Sequence, residues 1–266
     1  MNNSPEKIHE VVREHYAERI KTDGACCGAE DGCGSSGNLY PAELLSTLPD
    51  GELPMSYGCG DPITLASLEA GQVVLDLGSG AGLDCFFAAR KVGPTGRVIG
   101  VDMTPEMIER ARLGAKRLQL ENVEFRLGLL EELPVDDTSF DVVISNCVIN
   151  LAPDKAPVLR EAFRVLKPGG KLAVSDIVTA GPLPETVKNS LSAWAGCVAG
   201  ALDVDDYRAA LQRAGFAAIT ITPSYFDDAT IDEAIRDMRG QPGLGGFSRE
   251  SISRTVFSGR IVARKP

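Results

Sequence analysis

Two hydrophobic periods alternate through the middle of the chain. QVVLDLG (72–78) is a short, nearly continuous apolar run, the pattern of a strand buried on both faces. GLDCFFAARKVG (82–93) then spaces its apolar residues as a helix and stops at a glycine. RVIGVD (97–102) predicts a second strand, followed by a helix from Thr104-Pro105 to about Leu118. NVEFRLG, SFDVVISN and KLAVSDIV predict three more strands, with a helix over 154–166 before the last. Strands alternating with helices of this length mean right-handed βαβ units and a parallel sheet.

The flanks differ. Ser4-Pro5 is a helix start, and Ile8, Val11, Val12, His15 and Tyr16 follow helical spacing, so a helix is expected over 5–21. Glycines and cysteines over 24–37 end it, and 38–60 reads as short irregular pieces broken by Pro41, Pro49 and Pro54. Beyond 183, two helical stretches precede the strand AAITITP (217–223). The terminal SGRIVARK predicts a strand paired antiparallel with it.

Composition narrows the class of function. The 266 residues are 44% hydrophobic with a formal net charge of -10, and no cationic block is present to neutralise phosphates, so nucleic acid is not an expected partner. The longest uncharged apolar stretch, AWAGCVAGAL (193–202), is about half of the ~20 residues a membrane span needs. The N-terminal MNNSPEKIHEVVREH has no apolar core like that of a secretory signal. These features predict a cytoplasmic protein without membrane contact, where thiols stay reduced. Seven cysteines, an odd number, fit poorly with a purely structural disulfide framework.

The first candidate site is VVLDLGSGAGLDCFF. Asp76 ends a strand, and Gly78, Gly80 and Gly82 form a G-x-G-x-G turn that lets a ligand approach the backbone. The next strand ends in Asp102, an acid placed to accept ribose hydroxyls. A nicotinamide dinucleotide favours G-x-G-x-x-G, whereas here the third glycine comes one residue early. With LGLLEELPV (127–135) and RVLKPGG (164–170), the loop resembles that of the class I S-adenosylmethionine-dependent methyltransferases over about residues 65–180. The resemblance implies a Rossmann-like α/β fold, doubly wound on a mostly parallel seven-stranded sheet. It implies that Asp76, Gly78, Ser79, Gly80 and Gly82 hold the methionine end of the cofactor, with Asp102 and Met103 at the ribose. Leu129 and Leu130 would lie by adenine and Asn146 near the sulfonium. Asp76 and Gly82 also suit such a turn for structural reasons alone. The expected organisation is an N-terminal segment (1–64), the cofactor core (65–180) and a cap carrying the last strands (181–266).

The second candidate site is made of sulfur. SFDVVISN delivers Cys147 to the carboxyl edge of the sheet, where a base is common in methyltransferases that act on hydroxyls or amines. The two histidines, His9 and His15, stand six residues apart in the first helix, the wrong spacing for one face, and are read as surface or packing residues. Cys59 lies in YGCGDP and Cys197 in WAGCVAG. Singly, each reads as a small buried hydrophobe, as does Cys85. Together, YGCGDP, GLDCFFAAR, SNCVINL and GCVAGA resemble the arsenite methyltransferase family, over about residue 10 to beyond 220. Asp61 departs from the asparagine common there.

That resemblance implies that Cys59, Cys147 and Cys197 hold trivalent arsenic, supplied free or as a thiol conjugate, while S-adenosylmethionine donates the methyl. Soft sulfur suits soft arsenic. Methylation formally oxidises arsenic, and vicinal thiols can return two electrons by closing a disulfide that an external thioredoxin- or glutathione-type reductant reopens. Cys26, Cys27 and Cys33, in GACCGAEDGCGSS, look like such a reservoir, able to pair with Cys59. A zinc site is the competing reading of that loop, although adjacent cysteines lack C-x-x-C spacing and no nearby histidine completes a tetrahedron. Two alternatives for the whole chain stay open: a methyltransferase of a small organic molecule, and a non-catalytic thiol-based metalloid sensor.

Overall fold

The computed structural model describes residues 4–21, 40–47, 58–181, 197–228, 231–232 and 255–266. Strands β1 (Val73–Leu77), β2 (Arg97–Asp102), β3 (Val123–Leu127), β4 (Phe140–Asn146) and β5 (Leu166–Thr179) pair in parallel. The two-residue strand β6 (Leu202–Asp203) pairs β5 at its end, and β7 (Ala217–Ser224) and β8 (Val256–Arg264) complete the sheet. The order is β3-β2-β1-β4-β5-β8-β7, with β8 antiparallel to both neighbours. The expected seven strands form this path, and β6 is an eighth.

Alternation along each strand divides the core between two faces. Leu75, Leu77 and Val143 face helices α6 (Lys155–Val165) and α7 (Val204–Ala214), whose Leu159 and Leu211 are fully buried. Val74, Val142 and Ile144 face α4 (Leu83–Val92) and α5 (Pro105–Arg117), through Phe87, Ile108 and Ala111. Burial on both faces explains why these strands are apolar runs rather than alternating ones.

The strand expected at Lys171 begins at Leu166. Residues of RVLKPGG are bonded along the chain's end, Gly169 N–H to Lys265 O at 2.8 Å and Lys265 N–H to Gly170 O at 3.0 Å. Helix α1 (Pro5–Lys21) has the expected limits, and Lys7 N–H reaches Ser4 Oγ at 3.4 Å. Two short helices, α2 (Ala42–Leu45) and α3 (Pro62–Ala66), lie before the sheet. Asp61 caps α3 by accepting from Thr64 N–H at 2.9 Å, a role asparagine fills equally well, so its departure from the family's residue is conservative here. The cysteines of 24–37 and the helix expected just beyond 183 lie outside the described residues. No helix among the described residues is long and apolar enough to cross a membrane.

Candidate active site

Strand β1 has β2 on one side and β4 on the other, so the crossovers leave in opposite directions and a crevice opens at their carboxyl ends. A cleft lies there, at the place where ligands bind in such sheets. Gly78, Ser79, Gly80, Asp102, Met103 and Leu130 line it, as does Asn146.

Asp102 is held from behind. Its Oδ2 accepts from Gly80 N–H at 2.9 Å and its Oδ1 from Thr104 N–H at 2.8 Å. Burial pushes its carboxyl above the ordinary value, while these N–H groups act in the opposite direction. Asp102 lines the cleft, where its carboxyl can accept from ligand hydroxyls. Asp84 and Glu131 add two more acids to the lining. A cleft with an acid at the end of β2 and a glycine turn suits a ligand carrying a ribose diol, a feature of S-adenosylmethionine.

Three expected cofactor residues lie elsewhere. Leu129 is 42% exposed and does not line the cleft. Asp76 is buried behind the loop, accepting from the Cys85 thiol at 3.3 Å. Gly82 starts α4 at φ +95, and a Cβ there would come within 2.9 Å of Phe86 and Phe125, so the turn needs glycine for packing as well as for its dihedral.

Helix α1 covers the cleft, which sequence reasoning missed. Its buried Ile8 and Val12 pack with Cys147, Leu151, Ile177 and Cys197. His9 Nε2 meets Glu131 Oε1 at 2.9 Å on the lining, whereas His15 Nε2 is buried with no hydrogen-bond partner among the described residues. The pairing of α1 with this edge is a long-range contact that no local pattern encodes.

The three cysteines from separate segments pack into one cluster beside the cleft. Cys147 lines it, directly after β4. Cys59 and Cys147 are joined by a disulfide, with Cα atoms 5.9 Å apart, while Cys26, Cys27 and Cys33 lie outside the described residues. Cys197 is a buried free thiol that donates to Cys147 O at 2.9 Å and lies 3.8 Å from Tyr16 Oη. Cys147 and Cys197 both have positive φ, +58 and +61. Each such residue costs on the order of 1–3 kcal/mol and persists only where surrounding packing imposes it, a pattern typical of functional sites. Burial, with the Asp176 charge added, pushes the Cys197 thiol up to about 12.

Asp84, buried beside Asn146 and Tyr40, is pushed up to about 7, first by burial. Its folded value exceeds the unfolded one of about 3.9. Its contribution to stability is therefore complete below about pH 4 and is lost as pH rises through about 7. Asp84→Asn should flatten the fall of Tm between pH 4 and pH 7. Parallel Tm profiles for parent and variant would contradict this assignment.

Residues 68–215 match the family model described as "Methyltransferase domain". The chain is 45% identical to the arsenite methyltransferase of Halobacterium salinarum, across 100% of this chain and 68% of that protein. It is 38% identical to that of Aquipseudomonas alcaligenes, across 87% and 69%. Among solved structures, it resembles an arsenic(III) S-adenosylmethionine methyltransferase from Chlamydomonas reinhardtii, with a TM-score of 0.65 at 34% identity, covering 84% of this chain and 71% of that one. A glycine turn answered by an acid, three cysteines converging beside it, and likeness along the whole length lead to one assignment: this chain belongs to the arsenite methyltransferase family, on the class I S-adenosylmethionine methyltransferase fold.

Proposed function

We propose that Cys59, Cys147 and Cys197, when all three are thiols, take trivalent arsenic as a pyramidal trithiolate beside the cleft. The activity is methylation of arsenite with S-adenosylmethionine as donor. One observation supports the residue assignment: Cys59 is bonded to Cys147, the Cys197 thiol reaches the Cys147 carbonyl at 2.9 Å, and Cys147 lines the cleft.

Arsenite is As(OH)3 at neutral pH, and binding condenses it with three thiols to give As(SR)3 and three waters. The thiol protons leave on arsenic's own hydroxyls, so a Cys197 thiol held near 12 is no obstacle and no base is needed. The cofactor supplies an electrophilic methyl carbon whose departing electron pair returns to a neutral thioether. Bound arsenic keeps one lone pair, which forms the new carbon–arsenic bond. The chain's part is alignment at near-attack distance. Asp102 and Gly80 orient one end and the cysteines the other.

Arsenic becomes formally pentavalent in that step. Cys59 and Cys147 can return two electrons by closing the disulfide in which they stand. Reopening it takes two electrons from an external thiol pair, of thioredoxin or glutathione type. Cys26, Cys27 and Cys33 are proposed to relay them.

The test joins binding and product. Protein carrying the Cys59–Cys147 disulfide should bind arsenite at least ~100-fold more weakly than dithiol-reduced protein, because two of three soft ligands are occupied. With arsenite, isotopically labelled S-adenosylmethionine and a dithiol, mass spectrometry should find label on arsenic and none on a phenol offered alongside. Label on the phenol alone would favour a small-molecule methyltransferase, and ligand binding without product would favour a sensor.

A further inference from the structure

We infer that Asn146 is a positioning residue of the sulfur site, holding the Cys59 loop against Cys147, rather than a contact to the cofactor sulfonium. The inference rests on the proposed arsenic role of those two cysteines. Asn146 is the last residue of β4 and immediately precedes Cys147. Its Oδ1 accepts from Cys59 N–H at 3.0 Å, and its Nδ2 donates to Gly60 O at 2.8 Å. A single carboxamide therefore holds the main chain on both sides of the Cys59 side chain.

The amide is fixed from behind as well. Nδ2 lies 3.1 Å from Asp84 Oδ2 and 3.2 Å from Tyr40 Oη, and Tyr40 gives its own proton to Asp84 Oδ1 at 2.9 Å. Three acceptors face Nδ2 and one donor faces Oδ1, so only one orientation satisfies the network. A flipped amide would set oxygen against a carboxylate and a carbonyl. The loop also lies flat on the group: a Cβ on Gly58 would fall 2.2 Å from the Asn146 carboxamide carbon. Glycine at 58 is what lets the backbone come this close.

The consequence is geometric. Cys59 arrives from the segment before the sheet and Cys147 from the end of a central strand, 88 residues later. Their sulfurs meet because the amide that precedes Cys147 binds the backbone that carries Cys59. Loss of that link should leave each thiol intact while lowering the effective concentration of one at the other.

That quantity is read directly by thiol–disulfide exchange: two protein thiols and one glutathione disulfide give the protein disulfide and two glutathiones. Full-length protein is equilibrated in glutathione buffers, quenched in acid and differentially alkylated, and the 59–147 pair is quantified by peptide mass spectrometry. Asn146→Ala should lower the equilibrium constant for closure at least ~10-fold, a rise in potential of about 30 mV. Arsenite affinity of the reduced variant should fall ~10–100-fold, as for loss of other groups that orient ligands. Gly58→Ala should shift closure in the same direction by lifting the loop off the amide, with β4 untouched, and it decides the matter alone if Asn146→Ala does not fold. Unchanged closure in both variants, or a loss confined to cofactor affinity, would overturn the inference. Weaker closure with arsenite affinity intact would uphold the clamp and remove Cys59 and Cys147 from the arsenic site.

Discussion

Cys197→Ser should bind S-adenosylmethionine as the parent does and lose arsenite methylation down to background. Serine is nearly isosteric, and its hydroxyl can still donate to Cys147 O as the thiol does at 2.9 Å, so the local backbone keeps its bond. What changes is the ligand. Trivalent arsenic prefers soft sulfur, and an alkoxide in a buried site is a poor exchange. Cys197 is also the cysteine of the three that stands outside the disulfide, so its loss does not disturb the Cys59–Cys147 pair. Calorimetry should show the cofactor's affinity preserved and the tight arsenite site gone. A variant that methylates arsenite at the parent rate would eliminate Cys197 as a ligand.

Asp102→Ala should weaken S-adenosylmethionine binding by ~1–3 kcal/mol, about 5- to 150-fold, the usual cost of removing a charged acceptor of hydrogen bonds. The upper part of that range is expected, because the carboxylate also holds Gly80 and Thr104 through their N–H groups. Its removal loosens the glycine turn along with the ribose contact. Arsenite binding to reduced protein should change little, since the three sulfurs are held by other residues. Titrations of each ligand against folded variant separate the two roles. Equal loss of both ligands would show that Asp102 supports the whole edge of the sheet.

Much of this architecture was legible in the chain. Five apolar runs with helical spacing between them predict the parallel half of the sheet, and the last two strands follow from AAITITP and SGRIVARK. The glycine turn and Asp102 were legible for the same reason: strand, turn and helix lie within one βαβ unit, where local spacing dictates what sits at the crevice. The chemistry of Cys147 was half visible, because a strand of known length ends just before it.

The remainder depended on contacts between distant segments. The family resemblance sets Asn146 near the sulfonium, and only the docking of residues 58–60 onto it points to a clamp. Helix α1 was visible as amphipathic, yet nothing in its spacing says that His9, Val12 and Tyr16 close the cofactor cleft. Cys59 was open to pairing with any thiol in reach, and packing brings Cys147. By itself the sequence determined the elements, the parallel sheet and the residue types available for soft-ligand and nucleotide chemistry, because propensity and period act over a few residues. The tertiary structure decided which of those residues meet. Such meetings are set by the burial of surfaces far apart in the chain, which leave no local period to read.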